Sequence, residues 1–172
     1  GDNNIFLGKS AGGLLRTGGT APVGNNNISM GYQAGHRIEG DYNIFLGMHA
    51  GSYLLNYNDN IAIGYRALLG ATDNTSTSSG SIAIGCEAGK KAPSYSTIVG
   101  GRAGQDMADS ATETCLFGYE AGRYEKGAHN TYIGFWCGRG SFSATTSGSI
   151  GNTAVGRKAL YAVTTGAQET CI

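Results

Sequence analysis

The sequence predicts an all-β fold, a parallel β-roll or β-solenoid of about nine coils, and three observations predict it. A motif of the form polar, Ile/Thr/Cys, x, apolar, Gly returns along the whole chain, and each complete copy is followed by Ala, once by Cys, and then by Gly or Leu. Glycine supplies 30 of 172 residues, more than twice the usual share of about 7%. Charged residues are 14% of the chain, against about 25% in an ordinary soluble domain. Glycine at that density argues against long helices, since each one inside a helix costs about 1 kcal/mol relative to alanine.

The first copy reads Asn4-Ile5-Phe6-Leu7-Gly8 with Ala11-Gly12, and the second Asn27-Ile28-Ser29-Met30-Gly31 with Ala34-Gly35. Coils begin near residues 4, 27, 43, 60, 81, 96, 114, 130 and 152, and a partial tenth opens at residue 170. The whole of 1–172 is therefore one repeat domain. Equivalent glycines lie 15 residues apart at the closest, Gly85 to Gly100, and 23 at the widest, Gly8 to Gly31. A fixed motif with a variable period means one coil shape with loops of different length. The long loops, residues 16–24, 71–80 and 141–151, are rich in Gly, Ser and Thr and are expected outside the stack.

Three consecutive motif residues between a polar residue and Gly read as a short strand, with side chains alternating between faces. The third position (Leu7, Met30, Leu46, Ile63, Ile84, Val99, Phe117, Ile133, Val155) is always large and apolar and is assigned to the core. The first position, on the same face, holds Ile, Thr or Cys. The middle position points the other way. Its large members, Phe6, Phe45, Ile98, Leu116 and Tyr132, are assigned to a contact between subunits, because such a row should not face water.

Two further columns fit the coil. Alanine recurs at 11, 34, 50, 67, 88, 103, 121 and 159, which calls for a narrow interior where the chain bends back. Asparagine precedes the strand at 4, 27, 43, 60, 130 and 152, as a turn former or as a stacked amide ladder. In-register coils about 4.8 Å apart would make a rod on the order of 40 Å long.

The net charge is zero. That argues against a nucleic-acid partner, which needs a basic face, and against a polybasic membrane tether. No apolar run approaches the roughly 18 residues of a membrane helix. The chain opens at Gly1-Asp2 without Met, which reads as a processed product or a piece of a longer chain.

Chemistry is sparse. Cys115 and Cys171 fall at the first strand position, Cys137 replaces the coil alanine, and Cys86 follows Gly85 in a turn. The first three are expected as buried thiols and Cys86 as exposed. No CxxC pair exists, so zinc is not expected. His36, His49 and His129 lie in three different coils with no carboxylate or thiol at a recognisable offset. Asp106 and Asp109 share a loop that reads as solvated rather than as a calcium site. No catalytic, cofactor or metal residues are assigned. Tyr32, Tyr65, Tyr119 and Phe135 all follow the motif glycine and read as rings stacked on one corner, with a sugar-binding strip as the alternative. Asn74, in Asn74-Thr75-Ser76, is the better glycan acceptor of two sequons.

Asn60-Ile61-Ala62-Ile63-Gly64-Tyr65-Arg66-Ala67-Leu68 and Gly151-Asn152-Thr153-Ala154-Val155-Gly156-Arg157-Lys158-Ala159-Leu160-Tyr161 resemble two sets of known repeats. One set is found in trimeric autotransporter adhesin heads, the other in bacteriophage and related tail fibres. The resemblance covers essentially the whole chain and implies a left-handed parallel β-roll, three chains about one axis, and a place at a cell or virion surface. The longer, irregular loops depart from the adhesin heads. The expectation is a non-enzymatic structural and adhesive segment of a homotrimeric fibre, with a cell-surface receptor or glycan as its partner. The alternatives are a filament subunit joined end to end and a glycan- or ice-binding solenoid. Thr97, Thr131 and Thr153 read as too few, and too buried, for an ice-binding array.

Overall fold

Each copy of the motif becomes one strand. The computed structural model describes the chain except for residues 14–23, 55–56, 71–78, 92, 109, 141–149 and 163–166. Ten strands follow in chain order: β1 (Ile5–Leu7), β2 (Ile28–Met30), β3 (Ile44–Leu46), β4 (Ile61–Ile63), β5 (Ile82–Ile84), β6 (Thr97–Val99), β7 (Cys115–Phe117), β8 (Thr131–Ile133), β9 (Thr153–Val155) and β10 (Thr170–Cys171). They form one sheet in the order β1 to β10. Every pairing is parallel. The fold is a β-solenoid, as the repeat predicts. Among the described residues no helix is long and apolar enough to cross a membrane.

Register is strict, with motif position over motif position. Ile44 pairs with Ile61, Phe45 with Ala62, and Leu46 with Ile63. Each return segment is also hydrogen-bonded rung to rung: Gly35 N–H donates to the Ala50 carbonyl at 2.8 Å, and Gly51 N–H to that of Ala67 at 3.0 Å. Nine rung spacings give a stack about 43 Å long.

The assignment of faces is reversed. The middle residues Phe45, Ile98 and Leu116 are fully buried within the single chain, and Tyr132 is 1% exposed. Phe6, in the outermost coil, is 38% exposed, yet its ring lies over Gly12 of the same coil. These five side chains fill the solenoid interior and are not the subunit contact read from the sequence. The third position, assigned to the core, points outward: Phe117 and Ile133 are 40% and 41% exposed. The physical reason lies in the coil alanines. Ala34, Ala50, Ala67, Ala88, Ala103 and Ala121 are all fully buried. They face the middle residue, and a coil this narrow has room for one strand column beside them.

That interior is filled partly by compensation within a coil and partly from adjacent coils: beside Ala83 the residue after the alanine is Gly89, and the space is taken by Ile98 and Leu68 of the neighbouring rungs. Where the middle residue is Phe45, a Cβ on the glycine after the alanine, Gly51, would meet the ring at 2.6 Å. Gly122 stands in the same relation to Leu116, at 2.8 Å. Where the middle residue is Ala62 or Ala154, leucine replaces that glycine, at Leu68 and Leu160. Leu68 is fully buried.

The asparagines form the ladder. Asn27 N–H donates to Asn4 Oδ1 at 2.8 Å, Asn43 N–H to Asn27 Oδ1 at 2.9 Å, and Asn60 N–H to Asn43 Oδ1 at 3.0 Å. The side-chain amides of Asn43 and Asn60 donate to the rung before them at 3.1 Å. Ser81, Ser96 and Thr114 carry the column through the middle coils: Ser96 N–H donates to Ser81 Oγ at 3.2 Å and Thr114 N–H to Ser96 Oγ at 3.2 Å. Asn130 and Asn152 resume it, with Asn152 N–H donating to Asn130 Oδ1 at 2.8 Å.

Asn43 is fully buried and also donates to the Tyr57 carbonyl at 2.7 Å. Asn43→Ala removes the acceptor of a buried backbone N–H, and we expect a loss of about 3 kcal/mol. Thermal unfolding should report that as a fall of roughly 6–12 °C. Asn43→Ser, which keeps an oxygen as in the middle coils, should lose about half as much. A loss below about 0.5 kcal/mol for Asn43→Ala, the range of a neutral surface change, would mean the ladder contributes nothing to stability.

Candidate interaction surfaces

Three features of the outer surface have a shape that ligands or partners could read. The first is the outward face of the sheet. Its first row is Ile28, Ile44, Ile61, Ile82, Thr97, Cys115, Thr131 and Thr153, and its second is Met30, Leu46, Ile63, Ile84, Val99, Phe117, Ile133 and Val155. No residue of either row is charged. All are half-buried or exposed. Thr97, Thr131 and Thr153, expected to be buried, lie on this face in one column with Cys115.

The second feature is a charge ladder at the corner after the sheet. The second residue after each motif glycine has a left-handed backbone: Ser10, Gln33, His49, Arg66, Glu87, Arg102, Glu120, Trp136 and Lys158, with φ between 53° and 64°. From Arg66 to Glu120 the charges alternate rung by rung. Arg66 Nη1 lies 3.9 Å from Glu87, Glu87 lies 3.8 Å from Arg102 Nε, and Arg102 Nη1 lies 3.7 Å from Glu120. A slip by one coil would set like charges together, so the ladder reinforces register.

Glu120 is the knot of this ladder. It is 4% exposed and meets Arg123 Nη1 at 2.9 Å and Arg139 Nε at 2.7 Å. Burial pushes its carboxyl up, but the hydrogen bond from Arg139 and the charges of Arg123, Arg139 and Arg102 outweigh burial and hold it below the usual carboxylate range.

The third feature continues the same corner, where the charge ladder gives way to rings. Tyr119 and Phe135 stack at 5.6 Å with their planes 17° apart. Phe135 meets Trp136 at 4.7 Å, and Trp136 meets Tyr161 at 5.8 Å. The Arg139 guanidinium lies 5.1 Å from the Tyr124 ring, 5.4 Å from Trp136 and 5.8 Å from Tyr161. Lys158 Nζ lies 5.2 Å from Trp136 and 5.7 Å from Tyr161, and Arg157 lies 5.8 Å from Phe135. The stacking of Tyr119 on Phe135 matches the reading of aligned rings. Tyr32 and Tyr65 are exposed but separated from that pair, because Met48, Cys86 and Gly101 hold the same position in the intervening coils. Trp136, Tyr161 and Lys158 were not singled out from the sequence. The signal was there, since Trp136 is the chain's one tryptophan and directly follows Phe135.

The remaining candidates scatter. All four cysteines are free; Cys86 is exposed, Cys137 is buried, and Cys115 and Cys171 are intermediate. Cys171 pairs with Ala154 and so occupies the middle, inward position rather than the first. Burial pushes the Cys137 thiol up. His129 Nδ1 does find a carboxylate, Glu113 Oε2 at 3.1 Å one coil away, on an exposed pair. His36 is buried, and burial, then Arg37 and His49, push its pKa down. Asp106 is engaged by Arg123 at 3.2 Å. Asp109 and the acceptor Asn74 lie outside the described residues. Among the described residues no group of His, Cys, Asp and Glu has a metal-binding arrangement.

Comparison of the chain with family models, with curated proteins and with solved structures found no match.

Proposed function

We propose that this chain is a rigid segment of a homotrimeric extracellular or virion-surface fibre, of the kind found in tail fibres or bacterial adhesins, and that it works by display of its loops. The observation that carries the proposal is the uncharged outward face of the sheet. All-parallel sheets occur almost only with both faces covered. Here the solenoid interior covers one face, while the other presents two rows of Ile, Leu, Val, Met, Phe, Thr and Cys from end to end. An exposed apolar strip of that length is a partner surface. A copy of the same chain is the partner of choice, because its face has the same length and the same rung spacing. The number three comes from the resemblance of the repeats to those of trimeric fibres.

Light scattering should give three times the chain mass of 17.7 kDa. Cys115 offers a second measurement. It lies on the outward face between Thr97 and Thr131, and parallel in-register copies would bring like residues of sister chains together. In a Cys86→Ser background, mild oxidation should give a covalent pair of chains through Cys115, and Cys115→Ser should abolish it. A clean 17.7 kDa species in solution would contradict the proposal.

A further inference from the structure

We propose that the eighth and ninth coils carry a binding site for an acidic saccharide, built from Trp136, Tyr161 and Phe135 with Lys158 and Arg157. The site adds a ligand to the fibre reading, and it does not depend on the trimer.

Three observations point to it. First, the charge ladder changes character at this place. Through the preceding coils each cation of the ladder column faces a carboxylate: Arg66 has Glu87, and Arg102 has Glu87 and Glu120, which also holds Arg123 and Arg139. At the next two rungs the column holds Trp136 and Lys158. Among the described residues Lys158 and Arg157 have no ion-pair partner; ring faces hold them instead. Both are exposed. A cation resting on an exposed ring is held weakly, and a carboxylate competes with the ring for it.

Second, the rings form a connected surface. Phe135, Trp136 and Tyr161 touch in sequence, and Phe135 is exposed. Aromatic faces of this kind receive the apolar face of a sugar ring while polar groups at the rim fix its orientation.

Third, the indole Nε1 of Trp136 is buried without a hydrogen-bond partner. An indole nitrogen is a donor only, and buried donors are normally satisfied. A ligand oxygen would satisfy it once the side chains packed on the indole, Lys158 among them, move aside. A saccharide carrying a carboxylate supplies every element at once: an apolar ring face for the indole, an oxygen for Nε1, and an anion that draws Lys158 or Arg157 away from the ring. A nucleic acid suits the chain less well, because its net charge is zero and phosphate binding needs a broad basic face.

The single tryptophan makes the test direct, since all tryptophan fluorescence comes from the site. The folded chain is titrated with tetragalacturonate, with sialyllactose and with maltotetraose, and the oligomeric mass is measured on the same samples. At least one acidic probe should shift or quench the emission saturably, and added salt should weaken the effect. Maltotetraose should not compete. Lys158→Gln, an exposed change that leaves the fold intact, should weaken binding by about tenfold, the loss of one charge-assisted contact. Trp136→Phe, followed by calorimetry, should also weaken it. The proposal is overturned if neither acidic probe saturates at millimolar concentration, if maltotetraose binds equally, or if Lys158→Gln binds as the parent does. A monomeric mass with acidic-sugar binding intact would sink the trimer and leave this site standing.

Discussion

Replacing Gly64 by alanine should cost about 4 kcal/mol, the combined effect of backbone strain and a backbone clash. Gly64 ends β4 with φ +129°, a conformation that L residues rarely adopt. A residue other than glycine held there pays about 1–3 kcal/mol. The added Cβ would also sit 2.6 Å from the Gly85 carbonyl oxygen of the next rung. That oxygen belongs to the stacked backbone and cannot move aside as a flexible side chain would. Gly156 separates the two effects. It has the same φ of +129°, but a Cβ there would meet nothing closer than the Ala159 Cβ at 4.0 Å. Gly156→Ala should therefore cost only the strain, about 2 kcal/mol. Denaturant unfolding of both variants checks this. Equal losses would mean that rung-to-rung approach at the motif glycine is not tight. Gly31 and Gly47 have the geometry of Gly64 and should behave as it does, with φ of +134° and +129° and the next carbonyl oxygen 2.7 Å from an added Cβ.

The strands could be read from the sequence because the coil shape is local. Three motif residues between a turn former and a left-handed glycine can do little but extend, and the triplets read as strands are β1 to β9 residue for residue. Parallel stacking followed from repetition, and the asparagine ladder from residue chemistry at a fixed place. The faces were not legible by the same route. Alternation says that Ile44 and Leu46 share a side and Phe45 takes the other, but it is symmetric and does not say which side is inside. Constancy of size points to the third position, which is always large. Interiors conserve total volume rather than the size of one column. In the fourth and ninth coils a small middle residue is offset by leucine after the alanine, at Leu68 and Leu160, an exchange visible in the sequence; beside Ala83 the offset comes from Ile98 and Leu68 of the adjacent rungs, which the sequence of one coil does not show. The charge ladder was hidden for another reason. Glu87 lies 21 residues from Arg66 but only 15 from Arg102, so no fixed period links them until loops of unequal length have been set aside. The aromatic platform is legible only at Phe135, because aromatic residues recur in the column after the glycine, whereas Trp136 stands alone in a column otherwise polar or charged.

The volume exchange makes the last prediction, and it decides which face of the strand is the core. Ala62 is fully buried beside Leu68, which is fully buried as well. Ala62→Phe copies the third coil at the middle position but leaves the leucine in place, so a ring and a leucine compete for one space. The expected loss is about 3 kcal/mol or more from overpacking. Leu68→Gly alone leaves a cavity and should cost about 3 kcal/mol, partly offset because Leu68 has a left-handed φ of 42° that glycine adopts freely. The double variant, Ala62→Phe with Leu68→Gly, recreates the Phe45–Gly51 arrangement. It should recover to within about 1 kcal/mol of the parent, a coupling of about 3 kcal/mol between the two sites. If position 62 faced a sister chain, as alternation alone allowed, the phenylalanine would not meet Leu68. The two changes would then add, and Ala62→Phe would alter the oligomeric state rather than the stability of the coil. Unfolding of the three variants, with mass measured alongside, separates these outcomes.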